Sequence, residues 1–98
     1  MVKHIILWTL KEEFNTDEVK LGIKKNLESL LGVVPGLLEI EVQTEKLPSS
    51  NADLMLYSVL ENAEALKGYA VHPEHVRVAD TFVRPYTSSR SCIDFEVK

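Results

Sequence analysis

The densest group of chemically capable side chains lies in the segment 69–75, where one tyrosine precedes two histidines. Pro73 suits the first position of a helix and disfavours helical backbone at His72, so we expect a helix to begin at Pro73 with His75 in its first turn. The positive end of a helix dipole lowers the pKa of an imidazole, and a neutral imidazole can accept a proton. Tyr69 lies across the break between two helices, so its phenol can reach the same pocket. The pair predicts proton abstraction beside a carbonyl, with His75 as the base and Tyr69 as the donor to the carbonyl oxygen.

A structural interpretation of this segment stays open beside the catalytic one. In it, Tyr69 packs in the core, His72 caps the following helix, and His75 is a solvated or hydrogen-bonded histidine. Residue types alone do not separate the two interpretations.

His4 is a third candidate for the site. It lies in phase with Ile6 and Trp8 on the first predicted strand, which places an ionisable group on an apolar, inward face. A buried histidine is more often a satisfied core residue than a ligand. A zinc site built from His4, His72 and His75 needs further ligands that the sequence does not define, so we expect no bound metal and no cofactor.

Composition excludes several classes of function. The chain has 98 residues and a formal net charge of -4, with no basic cluster, which argues against nucleic acid and an anionic membrane surface as partners. No apolar run is long enough to span a bilayer and no export signal is visible, so we expect a cytoplasmic protein. Cys92 is the one cysteine, which excludes an internal disulfide, and we interpret it as a core or strand residue. The length predicts a single domain over residues 1–98.

Hydrophobic periodicity predicts four strands and three helices. The strands are expected at Val2–Leu10, Leu38–Gln43, Asp53–Leu60 and Ser91–Val97. The helices are expected after a cap at Asn15 or Thr16 as far as Val34, from a cap at Asn62 through Tyr69, and from Pro73 to Val83. The order β-α-β-β-α-β, with a short extra helix before the last strand, predicts an α+β, ferredoxin-like fold in which an antiparallel sheet carries both main helices on one face.

The first and third predicted strands are apolar on both faces. Helices can cover only one face, and we expect the other to carry Ile6, Trp8, Leu54 and Leu56, an area larger than monomers usually expose. A second copy related by a two-fold axis would cover such a patch without filament growth. We therefore predict a homodimer that encloses a pocket between two sheets.

Four short segments form a pattern that covers essentially the whole chain: Val2-Lys3-His4, Asp53-Leu54, Tyr69-x-x-His72-Pro73-x-His75 and Asp94-Phe95. Together they resemble the stress-responsive α/β barrel domain family. The resemblance implies a ferredoxin-like protomer and a dimeric α/β barrel. From a plant polyketide cyclase of that family, which uses no cofactor, it implies His75 as general base, Tyr69 as its carbonyl-orienting neighbour and His4 as a pocket residue. A further pocket histidine of the cyclase aligns with Leu54, so the polar lining is reduced here.

The functional expectation is a cofactor-free cyclase or isomerase that acts on a small carbonyl compound. We expect Ile6, Trp8, Leu54 and His72 to contact the substrate. Two alternatives remain at this point: a non-catalytic binder of a small apolar or aromatic ligand, and a structural dimerisation module.

Overall fold

The computed structural model describes residues 1–97 and shows a four-stranded antiparallel sheet with its helices on one face. The strands are β1 (Val2–Leu10), β2 (Leu37–Gln43), β3 (Leu54–Leu60) and β4 (Thr87–Glu96), in the spatial order β2-β3-β1-β4. The helices are α1 (Asp17–Glu28), α2 (Ala63–Val71) and α3 (Pro73–Val78). The predicted α+β, ferredoxin-like fold is confirmed. None of the helices in this part of the chain has the length and apolar character needed to cross a bilayer.

Each helix begins at a side chain that accepts a backbone N–H from its first turn. The acceptors are Thr16 for α1, Asn62 for α2 and His72 for α3. These caps satisfy donors that a helix otherwise leaves unpaired. The first helix is shorter than predicted, since it ends at Glu28 rather than near Val34. Val34 is nevertheless buried, because the turns that follow the helix continue to pack on the sheet.

The helices cover the opposite sheet face from the one predicted. Ile6, Trp8, Leu54 and Leu56 were assigned to the open face, and that assignment is wrong: their exposed fractions are 4, 4, 2 and 1%, and they form the core with the helices. Alternation has a period of two and identifies which residues share a face. When both faces are apolar, however, it cannot say which face the helices cover.

The open face of the sheet is apolar as well. Leu7, Ile93 and Phe95 are exposed by 43, 60 and 42%, and Met55 and Tyr57 are half-buried beside them. Strand register aligns these side chains, because directly paired residues such as Leu7 and Met55 project to the same side. We call this group of five the open-face patch.

A buried carboxylate ties three segments together at one end of the sheet. Asp53 Oδ2 accepts the N–H of Leu10 at 2.8 Å, and its Oδ1 accepts from Lys46 Nζ at 2.7 Å. The hydrogen bond from Lys46, helped by the one from Leu10, holds the pKa of Asp53 below its ordinary value despite burial. The end of β1, the β2–β3 loop and the start of β3 are thereby joined.

Gly36 lies where the chain enters β2 and where the first turn of α2 approaches most closely. Its φ of +80° is a left-handed conformation that side chains other than glycine rarely adopt. A Cβ atom placed there would lie 2.6 Å from the Cβ of Ala65. The carbonyl of Gly36 also accepts the N–H of Glu61 at 2.9 Å, just before α2 begins.

Candidate active site

A cavity of about 370 Å³ lies between the sheet and the helices of one protomer. Its walls come from all three helices, from the turns after α3 and from β1, β3 and β4. His4, Ile6 and Trp8 were expected to line a pocket between two sheets, but the chain's own helices cover the face that carries them, and they line the cavity that those helices leave open. The volume falls in the range of small-molecule sites.

Tyr69 projects into this cavity from α2. Its side chain is 1% exposed, and its hydroxyl has no hydrogen-bond partner among residues 1–97. Burial raises the pKa of the phenol, with a small opposing effect of the Arg90 charge. Tyr69 is consequently a neutral hydrogen-bond donor.

His75 lies on α3 with its ring against Tyr69, the two ring centres being 4.2 Å apart. Its Nδ1 lies 3.4 Å from the carbonyl oxygen of Ala70, a long contact in which the imidazole is the only group able to donate. With the proton on Nδ1, Nε2 is left with a free electron pair.

The pKa of His75 lies below its ordinary value of 6.5, chiefly because the ring is desolvated. The charges of Arg84 and Arg90 lower it further, whereas the Ala70 contact opposes the shift. The helix dipole was expected to keep His75 neutral. In the structure, the lowered pKa comes instead from burial of the ring and from the neighbouring cations. At neutral pH the ring can accept a proton.

His4 lies across the cavity floor from Tyr69, their ring centres 5.8 Å apart. Its Nδ1 hydrogen-bonds to a carboxylate oxygen of Asp94, the residue paired with it on β4. The thiol of Cys92 lies 3.7 Å from the same nitrogen. His4 is 6% exposed, and the hydrogen-bonding capacity of its Nδ1 is satisfied by the neighbouring strand β4.

Three side chains form the one grouping of possible metal ligands found within residues 1–97. The ligand atoms of His4, Cys92 and Asp94 lie within 4.8 Å of one another. His72 and His75 do not join this group, so the three histidines do not form the shared site that was considered from the sequence. The thiol is disfavoured as an anion, because partial desolvation by its neighbours and the charge of Asp94 raise its pKa, although the residue as a whole is exposed.

A π-helical turn shapes the wall beside His75. It spans Ala79–Val83 and is closed by a hydrogen bond from the Arg84 N–H to the Ala79 carbonyl. Such turns insert an extra residue into a helix and are frequent at functional sites. Ala79, Val83 and Arg84, which follow His75 along the chain, line the cavity from this widened turn.

The predicted site residues separate into two groups. Tyr69, His75, His4, Ile6 and Trp8 all line the cavity. The other two lie elsewhere.

Leu54 and His72 do not contact the cavity. Leu54 packs in the core near the β2–β3 loop, and the ring of His72 accepts the N–H of Glu74 at 3.1 Å as the cap of α3. Both residues, which were expected to contact the substrate, therefore lie outside the cavity that the other five predicted site residues line. For His72 the geometry matches the capping role given in the structural interpretation.

Sequence reasoning assigned no site role to Arg90 or Asp94 and interpreted Cys92 as a core or strand residue. All three line the cavity from alternate positions of β4, and Cys92 is exposed. The available signal was the alternation of β4 itself: these polar positions share a face, and Ile93 and Phe95 share the other.

The model of the stress-responsive A/B barrel domain matches residues 2–97. A stress-response A/B barrel domain-containing protein of Arabidopsis thaliana is 29% identical over 97 residues, which is 97% of this chain and 36% of that protein. The chain therefore spans about a third of the length of this relative.

Solved structures share the fold. A dimeric protein of unknown function from Bacteroides fragilis, with a ferredoxin-like fold, is 33% identical with a TM-score of 0.85, over 98% of this chain and 95% of that one. Hydroxynitrile lyase from Passiflora edulis is 15% identical with a TM-score of 0.84, over 99% of this chain and 93% of the other. At that identity the second likeness concerns the fold alone.

Proposed function

Because the chain belongs to the stress-responsive A/B barrel domain family, and because its cavity places a buried phenol beside a half-buried imidazole, we propose that it is a cofactor-free enzyme. Its reaction is the removal of a proton from a carbon next to the carbonyl of a small compound, followed by isomerisation or cyclisation. His75 is the base, and Tyr69 is the donor to the carbonyl oxygen.

The hydroxyl of Tyr69 carries this proposal. It is buried, it belongs to a residue that lines the cavity, and it has no partner among residues 1–97. A buried hydroxyl without a partner costs about 1–3 kcal/mol, and such groups are rare in folded proteins. A substrate carbonyl is an acceptor of the right kind, since the raised pKa keeps the phenol protonated.

The proposed reaction begins with the transfer of a proton from a substrate carbon to His75. Nε2 of His75 takes the proton from the carbon, and the electron pair of the C–H bond moves to form an enolate. The negative charge develops on the oxygen that accepts from Tyr69, where a positioned donor stabilises it most. Return of the proton to another position gives an isomer. Attack of the enolate carbon on a second carbonyl of the same molecule forms a C–C bond and closes a ring, and the proton from His75 completes the new hydroxyl.

Two copies of the chain form the functional unit in this proposal. The open-face patch is the surface that would be buried between them, because apolar sheet faces of this kind are uncommon in monomers. The Bacteroides fragilis relative is described as dimeric, which supports the same arrangement here.

The proposal is tested by deuterium exchange. The methyl ester of phenylpyruvate carries acidic methylene protons next to a carbonyl and no charge, and its exchange in deuterated buffer is followed by proton NMR. Wild-type protein is expected to accelerate the exchange. His75→Ala is expected to lower the rate by about 10²- to 10⁴-fold, the contribution of a positioned base.

His72→Asn is the matched control. It removes a histidine three positions from His75 that caps α3 outside the cavity, and asparagine is itself a good cap. This variant is expected to retain wild-type exchange. Equal loss in both variants, or exchange that persists in His75→Ala, would remove His75 as the base; binding of the ester without exchange in the wild-type protein would leave a ligand-binding domain.

A further inference from the structure

The helix-facing side of β4 differs from the same side of its neighbours. β1 and β3 present mainly apolar side chains to the helices, whereas the corresponding positions of β4 are polar and its apolar residues face the other way. The register aligns these polar positions with residues of the cavity floor. The pairs are Asp94 with His4, Cys92 with Ile6, and Arg90 with Trp8.

Of the three charged side chains around the cavity, two have a partner and one forms no ion pair within residues 1–97. Asp94 is bound to His4, and Arg84 forms an ion pair with Asp80. Arg90 lines the cavity and forms no ion pair within the described range 1–97. Arg90 is exposed, so its unpaired guanidinium is accessible to a ligand, in a chain whose net charge is -4.

We propose that Arg90 binds a carboxylate of the substrate, so that the ligand class is a small oxo acid held at two points: its carbonyl oxygen at Tyr69 and its carboxylate at Arg90. This inference rests on the proposed function, since it names the substrate of the same site. A guanidinium matches a carboxylate with two parallel hydrogen bonds, which makes arginine the best-suited residue for this task.

The position of Arg90 fits the two-point arrangement. Arg90 lines the same cavity as Tyr69 and His75, the two groups that would act on the carbonyl end of a ligand, and its charge lowers the pKa of both. Trp8 is paired with Arg90 in the strand register and also lines the cavity, so it offers an apolar surface beside the guanidinium. A carboxylate on a short or aromatic oxo compound would therefore meet Arg90 while its carbonyl meets Tyr69.

Binding measured by titration calorimetry tests the assignment with two probes that differ in one charge, phenylpyruvate and its methyl ester. Wild-type protein is expected to bind the acid at least about 10-fold more tightly than the ester. Arg90→Gln is expected to weaken binding of the acid by about 10- to 100-fold, the range of a charge-assisted hydrogen bond, and to change binding of the ester less than about twofold. Raising the salt concentration should reduce the preference for the acid.

Arg77→Gln is the matched control, because Arg77 is exposed on α3, pairs with Glu74 and does not line the cavity. It is expected to leave both affinities unchanged. The assignment is overturned if wild-type protein fails to prefer the acid, or if Arg90→Gln and Arg77→Gln give the same ratio of acid to ester affinity. The deuterium exchange of the uncharged ester is independent of Arg90, so either proposal can fail while the other stands.

Discussion

Tyr69 is the residue at which stability and proposed activity conflict. Its ring packs between those of His4 and His75, which benefits folding, while its hydroxyl lies buried without a partner within residues 1–97. Polar groups in that state lower stability unless a ligand satisfies them. The proposed function accounts for this residue, since a bound carbonyl would supply the acceptor that the fold does not.

Tyr69→Phe separates the two effects. Loss of the hydroxyl is expected to raise the free energy of unfolding by about 1 kcal/mol, because a buried unpaired group disappears and the ring remains. The exchange rate is expected to fall by about 10²- to 10³-fold, as for removal of one donor to a developing oxyanion. Urea unfolding and the NMR exchange assay measure the two quantities.

Tyr86→Phe serves as the comparison, since Tyr86 packs against Phe14 outside the cavity. Neither quantity should change in it. A Tyr69→Phe protein that is clearly less stable than wild type would mean that the hydroxyl has a partner, and an unaltered exchange rate would mean that it has no part in the chemistry.

At the scale of elements, most strands and caps follow from sequence rules, although β4 begins at Thr87, four residues before its predicted start. The predicted and observed bounds of β1 coincide, and Thr16 and Asn62 cap the helices for which they were considered. The π-helical turn Ala79–Val83 was not predicted, because apolar residues recur there at ordinary helical spacing and continue the pattern of α3. An inserted residue changes hydrogen bonding rather than hydrophobicity, so periodicity does not detect it.

Asp53 gives a prediction for the junction of β1, β3 and the loop between β2 and β3. Its folded-state pKa lies below the ordinary value of 3.8, so the unfolded chain takes up the proton first as the pH falls. The stability it contributes is therefore present above about pH 4 and is lost as the pH falls through its folded-state pKa. Asp53→Asn is expected to lower the free energy of unfolding by about 1–3 kcal/mol at pH 7 and by less at pH 3.

Urea unfolding of both proteins at the two pH values measures this difference. Lys46→Met is the companion variant, because it removes the other half of the ion pair while leaving the hydrogen bond to Leu10. It should give a smaller loss than Asp53→Asn. A pH-independent effect of Asp53→Asn would contradict the ionic role of the carboxylate.

On the scale of the whole molecule, the sequence predicted that both sheet faces are apolar but not which of them the helices cover. Ile6 and Trp8 were placed on the open face, and the structure buries them under the helices. The cavity residues of β1 were nevertheless assigned correctly to one common face of the strand. An error about which face the helices cover applies to all residues of that face at once and leaves the group intact. The polar contribution of β4 was missed, since it becomes visible only once the register with β1 is known.

The open-face patch predicts how the protein associates. Ile93→Glu places a charge at its most exposed member, and burial of an unpaired charge between two sheets is strongly unfavourable. We expect the dimer dissociation constant to rise by at least about 100-fold, measured by analytical ultracentrifugation. Leu21→Glu, which alters an apolar residue on α1 that is similarly exposed, should leave association unchanged. A wild-type protein that is monomeric at all concentrations contradicts the proposed assembly.

Gly36 has a consequence for the cavity, although it lies outside it. The missing Cβ atom lets the first turn of α2 sit against the backbone at the entry to β2, and Tyr69 lies one helical turn beyond Ala65 on the same helix. A side chain at this position would push the first turn of α2 away from the backbone at the entry to β2, and the phenol of Tyr69 would move with the helix. The absence of a side chain at Gly36 thus fixes how closely α2 approaches the sheet, and with it the position of Tyr69 at the cavity.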